Sequence, residues 1–369
     1  MSVVDQQAPL GSQYELIETD IEREVASSLR QLLGREATWQ DVLARTESDE
    51  PVDRALWKRI AVDQGLAGLA VPESLGGAGA SWREVGVVME ELGRACAPVP
   101  YLGSAVLSTA LLLEIGADEL VGQLASGERT AALAVRLTCS PATPGTLPVS
   151  VADDRLSGSV PVVADALAAD VLIVPTADGV YAVEASDAVI TPTVSLDMTR
   201  PLADVSFDDA PGVRLSSGDP SDALGSALTI GAAMLANEQA GVAAQSLETA
   251  LAYMKQRYQF GRLIGSYQAL KHRMADVYVA LSQLRAAAKY AAACAGEADP
   301  DLPVATAVAQ AQGSTTAVLA AQECLQMHGG QGMTWENPSH LYLKRAKADS
   351  LALGRADQYR AWLGSLVGI

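Results

Sequence analysis

Basic side chains are few in this chain of 369 residues, and histidine, cysteine and phenylalanine are fewer still. Lys and Arg number 26 against 44 Asp and Glu, a formal net charge of −18. So negative a surface has no general affinity for nucleic acid or an anionic membrane, both of which need positive charge. An anionic ligand must instead be held by a few local Arg, Lys or helix N-termini. Only His272, His328 and His340 are present, which argues against a histidine-rich metal or nucleophile site. Cys96, Cys139, Cys294 and Cys324 are scattered and make no CxxC pair. Cys324 and His328 are one helical turn apart, but no second pair completes a zinc set, so buried thiols in a reducing cytosol are expected and no metal. Long apolar runs are missing as well. The stretches 102–113 and 316–321 are too short to span a bilayer, and Met1 to Leu10 has no basic segment leading into an apolar one, so no signal peptide is predicted.

At roughly 150 residues per domain, the length suggests two or three domains. The pattern divides the chain into three. Residues 1–130 read as a helical domain, with apolar positions three and four apart around Ile17–Ile21, Leu29–Leu33 and Leu56–Ile60. A glycine-rich loop, Pro72 to Gly79, interrupts it, and Ser81 with Glu84 forms a capping-box signature for the next helix. Residues 131–218 lack Lys and carry short β-rich runs at 131–137, 160–163, 171–175, 180–183, 194–196 and 205–207, spaced as in a small barrel or sandwich. Residues 219–369 return to long Ala-rich helices over about 222–256, 267–295, 304–327 and 339–353, which predicts a four-helix bundle.

Two segments could carry chemistry. Arg257-Tyr-Gln259-Phe260-Gly261, continuing to Gln268, lies between two long helices. It reads as a plain turn, or as a ligand site in which Arg supplies a fork of donors for a pyrophosphate and Phe an aromatic face. Gln326-Met-His328-Gly329-Gly330-Gln331-Gly332 reads as a helix C-terminus, or as backbone that can approach a phosphate or sugar closely. It has the spacing of neither a P-loop nor a GxGxxG turn.

Taken together and in this order, these segments resemble the acyl-CoA dehydrogenase family. The matching pieces are the Arg-x-Gln-Phe-Gly stretch at 257–268, the Gln-x-x-Gly-Gly-x-Gly stretch at 326–332, Pro72 to Gly79, and Trp335 to Tyr342. The resemblance implies a mainly α fold: an N-terminal helical domain, a β-barrel middle domain and a C-terminal four-helix bundle. It further implies FAD as cofactor, an acyl-CoA substrate undergoing α,β-dehydrogenation, and an electron-transfer flavoprotein as electron acceptor. By resemblance, Arg257, Gln259, Phe260 and Gln268 contact the FAD diphosphate, adenine or ribose. Gln326, Gly329 and Gly330 line the same nucleotide arm across a subunit interface.

The sequence also departs from the family. The reaction needs a carboxylate over the α-carbon, because a thioester α-proton is only weakly acidic. The family places that Glu in one of two positions, and here they hold Leu353 and, counting back from Phe260 without gaps, Gly231. The loop that bonds the flavin ring survives only as Leu137 to Gly145, and the segment Ser159 to Val163 carries no aromatic residue to pack on the ring. One reading is the subunit of a heteromeric dehydrogenase that lacks the base and completes the FAD site of a second acyl-CoA dehydrogenase chain. Another is a self-sufficient enzyme with a relocated base, for which Asp349, Asp357 and Glu238 are candidates, although Asp349 and Asp357 read more plainly as solvated surface carboxylates and Glu238 as a helix-to-helix polar contact. A third is a flavin-free scaffold that only binds a partner. Of the remaining polar residues, Arg200 is expected to pair with Asp197 or Asp204 at a strand end, Lys344, Arg345 and Lys347 to form a basic cluster at a helix surface or a subunit contact, and His328 to make a helix C-cap contact.

Overall fold

The computed structural model describes residues 16–369, so the segment Met1 to Leu10, read for a leader, lies outside the described residues. The first region is helical: α1 (Asp20–Glu36), α2 (Trp39–Thr46), α3 (Arg54–Lys58), α4 (Trp82–Ala95), α5 (Thr109–Glu114) and α6 (Asp118–Ala125). Side chains fix several starts. Thr19 with Glu22, Thr38 with Asp41 and Ser81 with Glu84 each form a capping box, which satisfies amide groups the first helical turn leaves without partners. A π-helical segment, Tyr101–Ser108, precedes α5 and is buried throughout.

The middle region contains β1 (Ala131–Leu133), β2 (Ser150–Ala152), β3 (Arg155–Ala164), β4 (Val171–Thr176), β5 (Gly179–Glu184), β6 (Val189–Thr193), β7 (Leu202–Pro211) and β8 (Val213–Ser217). They pair into two four-stranded sheets, ordered β1-β4-β5-β8 and β2-β3-β7-β6, and no closed barrel is found among the described residues. Alternation along β4 shows how the layers stack. Val171 and Ile173 join the large core shared with the helices, whereas Leu172 and Val174 join a second core between the sheets. The run Val194 to Leu196 is not a strand. It belongs to the β6–β7 connection, with both residues exposed.

The last region holds α7 (Ser221–Met254), a two-residue-per-strand hairpin of β9 (Tyr258–Gln259) and β10 (Arg262–Leu263), α8 (Gln268–Gly296), α9 (Leu302–His328), α10 (Ser339–Asp349) and α11 (Ala356–Val367). Helix α7 packs against α4, α8 and α9, and both α10 and α11 lie against α9. Small residues allow the close crossing of α4 and α7. A Cβ on Gly241 would come within 1.9 Å of the Glu90 carbonyl, and one on Gly93 within 2.2 Å of the Glu238 carbonyl. The helix expected over 339–353 stops at Asp349, because Leu353 and Gly354 take positive φ (53° and 111°), and α11 follows as an additional helix.

Candidate functional site

The first motif forms one wall of a cleft. Phe260 (φ 51°) and Gly261 (φ 79°) make the two-residue turn joining β9 to β10, with Gln259 opposite Arg262. Two positive φ values match the primed turn that suits hairpin twist, but Phe is an unusual residue to adopt one. Its ring is 91% exposed. The Ile264 amide donates to the Arg257 carbonyl at 2.9 Å, and the Arg262 guanidinium stacks over Tyr267 at 3.8 Å. The first contact closes the base of the hairpin, and the second holds it against the residue that caps α8.

The second motif forms the facing wall. Helix α9 ends at His328, and Gly329 (φ 59°) turns the chain away. A Cβ built on Gly329 or Gly330 would meet nothing within 4 Å, so both backbones face open space. Between the walls is a cleft of about 760 Å³. Of the seven residues expected to hold a nucleotide, Arg257, Gln259, Phe260, Gly329 and Gly330 line it. Gln268 and Gln326 are exposed but are not part of its lining.

Two cleft residues escaped the sequence reading. Tyr253 lies in the last turn of α7, where its carbonyl accepts from the Arg257 amide at 2.9 Å, and Gln331 follows the double glycine. They meet across the cleft, where the Tyr253 hydroxyl donates to Gln331 Oε1 at 2.9 Å. His328 makes the expected C-cap contact, with Nδ1 2.8 Å from the Cys324 carbonyl.

The two expected base positions converge elsewhere. Gly231 lies in α7 and Leu353 beyond α10, yet a Cβ on Gly231 would be 3.4 Å from Leu353 Cδ1. The same Cβ would lie 2.3 Å from Leu107 Cδ2, because the π-helical segment drives Leu107 onto the glycine. All three residues are buried, and no carboxylate is at either position.

The loop expected to face a flavin ring is bonded on both sides. The Leu137 amide donates to Val162 at 3.0 Å, and the Leu353 amide donates to Leu137 at 2.7 Å. The Leu353 carbonyl accepts from the Tyr359 hydroxyl at 2.5 Å. Ser140 packs so tightly on Gly354 that a Cβ there would come within 2.7 Å of it. What remains beside this loop is a cavity of about 430 Å³, lined by Arg136, Cys139 and Ser159 and by no aromatic residue.

A buried ionic cluster joins the middle region to the bundle. Arg200 Nη1 donates to Asp349 Oδ1 at 2.7 Å, and its Nη2 donates to both Glu238 oxygens. Arg345 Nε donates to Asp197 Oδ2 at 2.7 Å, Nη2 to Thr199 Oγ1 at 2.6 Å, and Nη1 to Glu238. This corrects several expectations. Arg200 pairs with neither Asp197 nor Asp204, Arg345 is buried rather than on the surface, and Asp349 is not a solvated carboxylate. Asp357 is on the surface, paired with Arg355. Burial opposes ionisation of Glu238, but Arg200 and Arg345 offset it and hold the carboxyl below its ordinary range. Burial pushes Asp349 up to about 8, reinforced by the Glu238 charge, and its Oδ2 has no partner. With Asp349 protonated, two guanidinium groups face two carboxylates, a balance that suits a site closed to water.

Helical flanks around stacked sheets, with a glycine-walled cleft where α7, α8 and α9 meet, define an acyl-CoA dehydrogenase fold. The profile of the acyl-CoA dehydrogenase N-terminal domain matches residues 19–127 and that of the C-terminal domain matches 222–363. The chain belongs to the acyl-CoA dehydrogenase family. It is 34% identical over 339 residues to acyl-CoA dehydrogenase IpdE2 of Mycolicibacterium smegmatis, covering 91% of this chain and 94% of that protein. The structure superposes on a chain of the ChsE4–ChsE5 complex of Mycobacterium tuberculosis with a TM-score of 0.85 at 26% identity, covering 96% of this chain and 99% of that one. It also matches the Tcur3481–Tcur3483 steroid ACAD with a TM-score of 0.83 at 28% identity, covering 94% and 97% of the two chains.

Proposed function

We propose that this chain is the base-less subunit of a heteromeric, FAD-dependent acyl-CoA dehydrogenase, and that it completes the FAD site of a second acyl-CoA dehydrogenase chain. The observation that carries this reading is the packing at Gly231. The two expected base positions meet at one point, where Leu107 and Leu353 pack and a side chain on Gly231 would collide with Leu107. The likeness to one chain of the two-protein ChsE4–ChsE5 complex supports a paired assembly.

The residues fit half of the cofactor. Open glycine backbone and the guanidinium of Arg257, which has no ion-pair partner among the described residues, suit the nucleotide arm. The ring half does not fit within this chain, because the 137–143 loop is bonded directly to Leu353 and packed on Gly354. No step of the reaction is therefore assigned to this chain's own residues. When bound, FAD would supply hydride acceptance from the substrate β-carbon, and the α-proton would have to go to a carboxylate of the second chain, since neither expected position here holds one. In this reading the products are an α,β-unsaturated acyl-CoA and electrons for an electron-transfer flavoprotein. Likeness to a steroid ACAD points to a bulky ring-derived acyl group in the partner's site. Four free cysteines suit a cytosolic setting.

A relocated base within the chain finds no support. Arg200 grips Glu238 through both oxygens and Asp349 through one, and both carboxylates are sealed from solvent. The test is to purify the chain alone and together with a second acyl-CoA dehydrogenase chain carrying Glu at either base position. The pair is expected to hold FAD and oxidise acyl-CoA, whereas the single chain binds only through the nucleotide arm, loses FAD during purification and oxidises nothing. Turnover by the single chain, lost in Asp349→Asn or Asp357→Asn, would overturn the proposal.

A further inference from the structure

The walls of the nucleotide cleft carry hydrogen-bond donors, the Arg257 guanidinium and the Gln259 side-chain amide, beside the open backbone of Gly329 and Gly330, where the Gly329 amide is already donated to the Gln326 carbonyl. Such donors recognise phosphate oxygens but do not distinguish one end of a nucleotide from the other; of the side-chain amides, Gln259 can rotate to offer either its N–H or its oxygen, and the Gln331 oxygen is already taken by Tyr253. His328 differs. Its Nδ1 is 2.8 Å from the Cys324 carbonyl, and a carbonyl only accepts, so the ring proton is on Nδ1. In the neutral ring Nε2 is therefore a lone-pair acceptor. Every hydrogen-bond contact of the ring among the described residues runs through Nδ1, which leaves Nε2 without one, and His328, only 6% exposed, borders the cleft.

The ring is also held in place. Tyr253 stacks on it with centroids 4.3 Å apart and planes inclined by 30°, and Tyr253 is itself anchored through Gln331. On the Nδ1 side, Ser339 Oγ lies at 3.5 Å and Cys324 Sγ at 3.9 Å. Stacking and these neighbours oppose a ring flip that would exchange the two nitrogens.

We propose that His328 Nε2 is the acceptor that reads a hydrogen-bond donor on the nucleotide in this cleft, a ribose hydroxyl or the adenine amino group, and so orients that half away from the phosphates. This rests on the proposed nucleotide role of the cleft. An acceptor here disfavours phosphate, whose oxygens are also acceptors, and directs the phosphates to Arg257. The same geometry makes His328 a positioning residue for the cofactor rather than a group that handles the substrate proton.

The test uses the full chain with ADP as probe, read by imidazole 15N and backbone amide NMR. ADP is expected to shift the His328 Nε2 resonance together with the Gly329 and Gly330 amides. Dideoxy-ADP and purine riboside diphosphate separate the two donors: the analogue that abolishes the Nε2 shift lacks the group that is read. His328→Asn retains an N–H for the Cys324 carbonyl but removes the acceptor, and should bind ADP about five-fold more weakly, the effect of one hydrogen bond. Movement of the glycine amides without any Nε2 change, or full ADP affinity in His328→Asn, overturns the role of His328 and leaves the cleft assignment standing. No response of either set of resonances overturns the cleft assignment itself.

Discussion

The backbone amide of Leu353 donates to the carbonyl of Leu137 at 2.7 Å, bonding the turn after α10 directly to the loop that follows β1. These are the segments that the resemblance expects to carry a base and to face a flavin ring. Here they are joined, and Leu107 and Gly231 complete the seal.

That seal makes Leu353→Glu an informative graft. The position is fully buried with positive φ, so a new carboxylate would have no partner and would remain neutral. We expect a loss of about 2–4 kcal/mol in stability by chemical denaturation and no gain of acyl-CoA oxidation, with the partner absent or present.

Gly231→Ala probes the same point from α7. Its Cβ would overlap Leu107 Cδ2, a contact at the end of a side chain that can partly yield, so a cost of about 1–3 kcal/mol is expected. Adding Leu107→Ala should recover part of that cost, and a double-mutant cycle measures the coupling. Strict additivity would show that the two residues do not compete for one space.

The ionic cluster gives a pH signature with a definite sign. Asp349 titrates at about 8 in the folded chain, well above an unfolded carboxyl near 3.9. Between those values the native state binds the extra proton, so its contribution to stability is complete at the acidic end and is lost as pH rises through the folded pKa. The slope reaches at most about 1.4 kcal/mol per pH unit. Asp349→Asn mimics the protonated acid and should flatten the fall in stability between pH 5 and 8, as followed by urea midpoints across that range. Breaking the pair from the other side, with Arg200→Met, leaves Glu238 with one guanidinium and should cost about 3–5 kcal/mol.

Much of this architecture was legible in the sequence, and the exceptions have a common cause. Helix positions followed from apolar period, and five cofactor candidates share a cleft because hairpin and glycine turn are local devices flanking two long helices. Counting back from Phe260 found Gly231, but the leucine that plugs its space comes from a distant π-helical segment that no periodicity reveals. Arg345 and Asp349 read as surface charges because their partners, Asp197 and Arg200, belong to the β6–β7 connection of another region. That connection in turn was read as a strand from Val194 and Leu196, whose β-type side chains are exposed rather than packed.

Phe260 breaks a local rule with no gain inside this chain. A primed two-residue turn favours Asn before Gly, and a large aromatic exposed to water at positive φ is strained. A departure of that kind is expected at functional sites, and the proposed function would account for it by a contact with the partner and the nucleotide arm. Phe260→Asn should therefore act in opposite directions on two measurements. The isolated chain should gain about 0.5–1 kcal/mol in denaturant stability from the relieved turn, while the copurified pair should lose FAD more readily on dilution. If stability rises and FAD retention in the pair is unchanged, the exposed ring has no role in assembly; if stability falls, the turn was never strained.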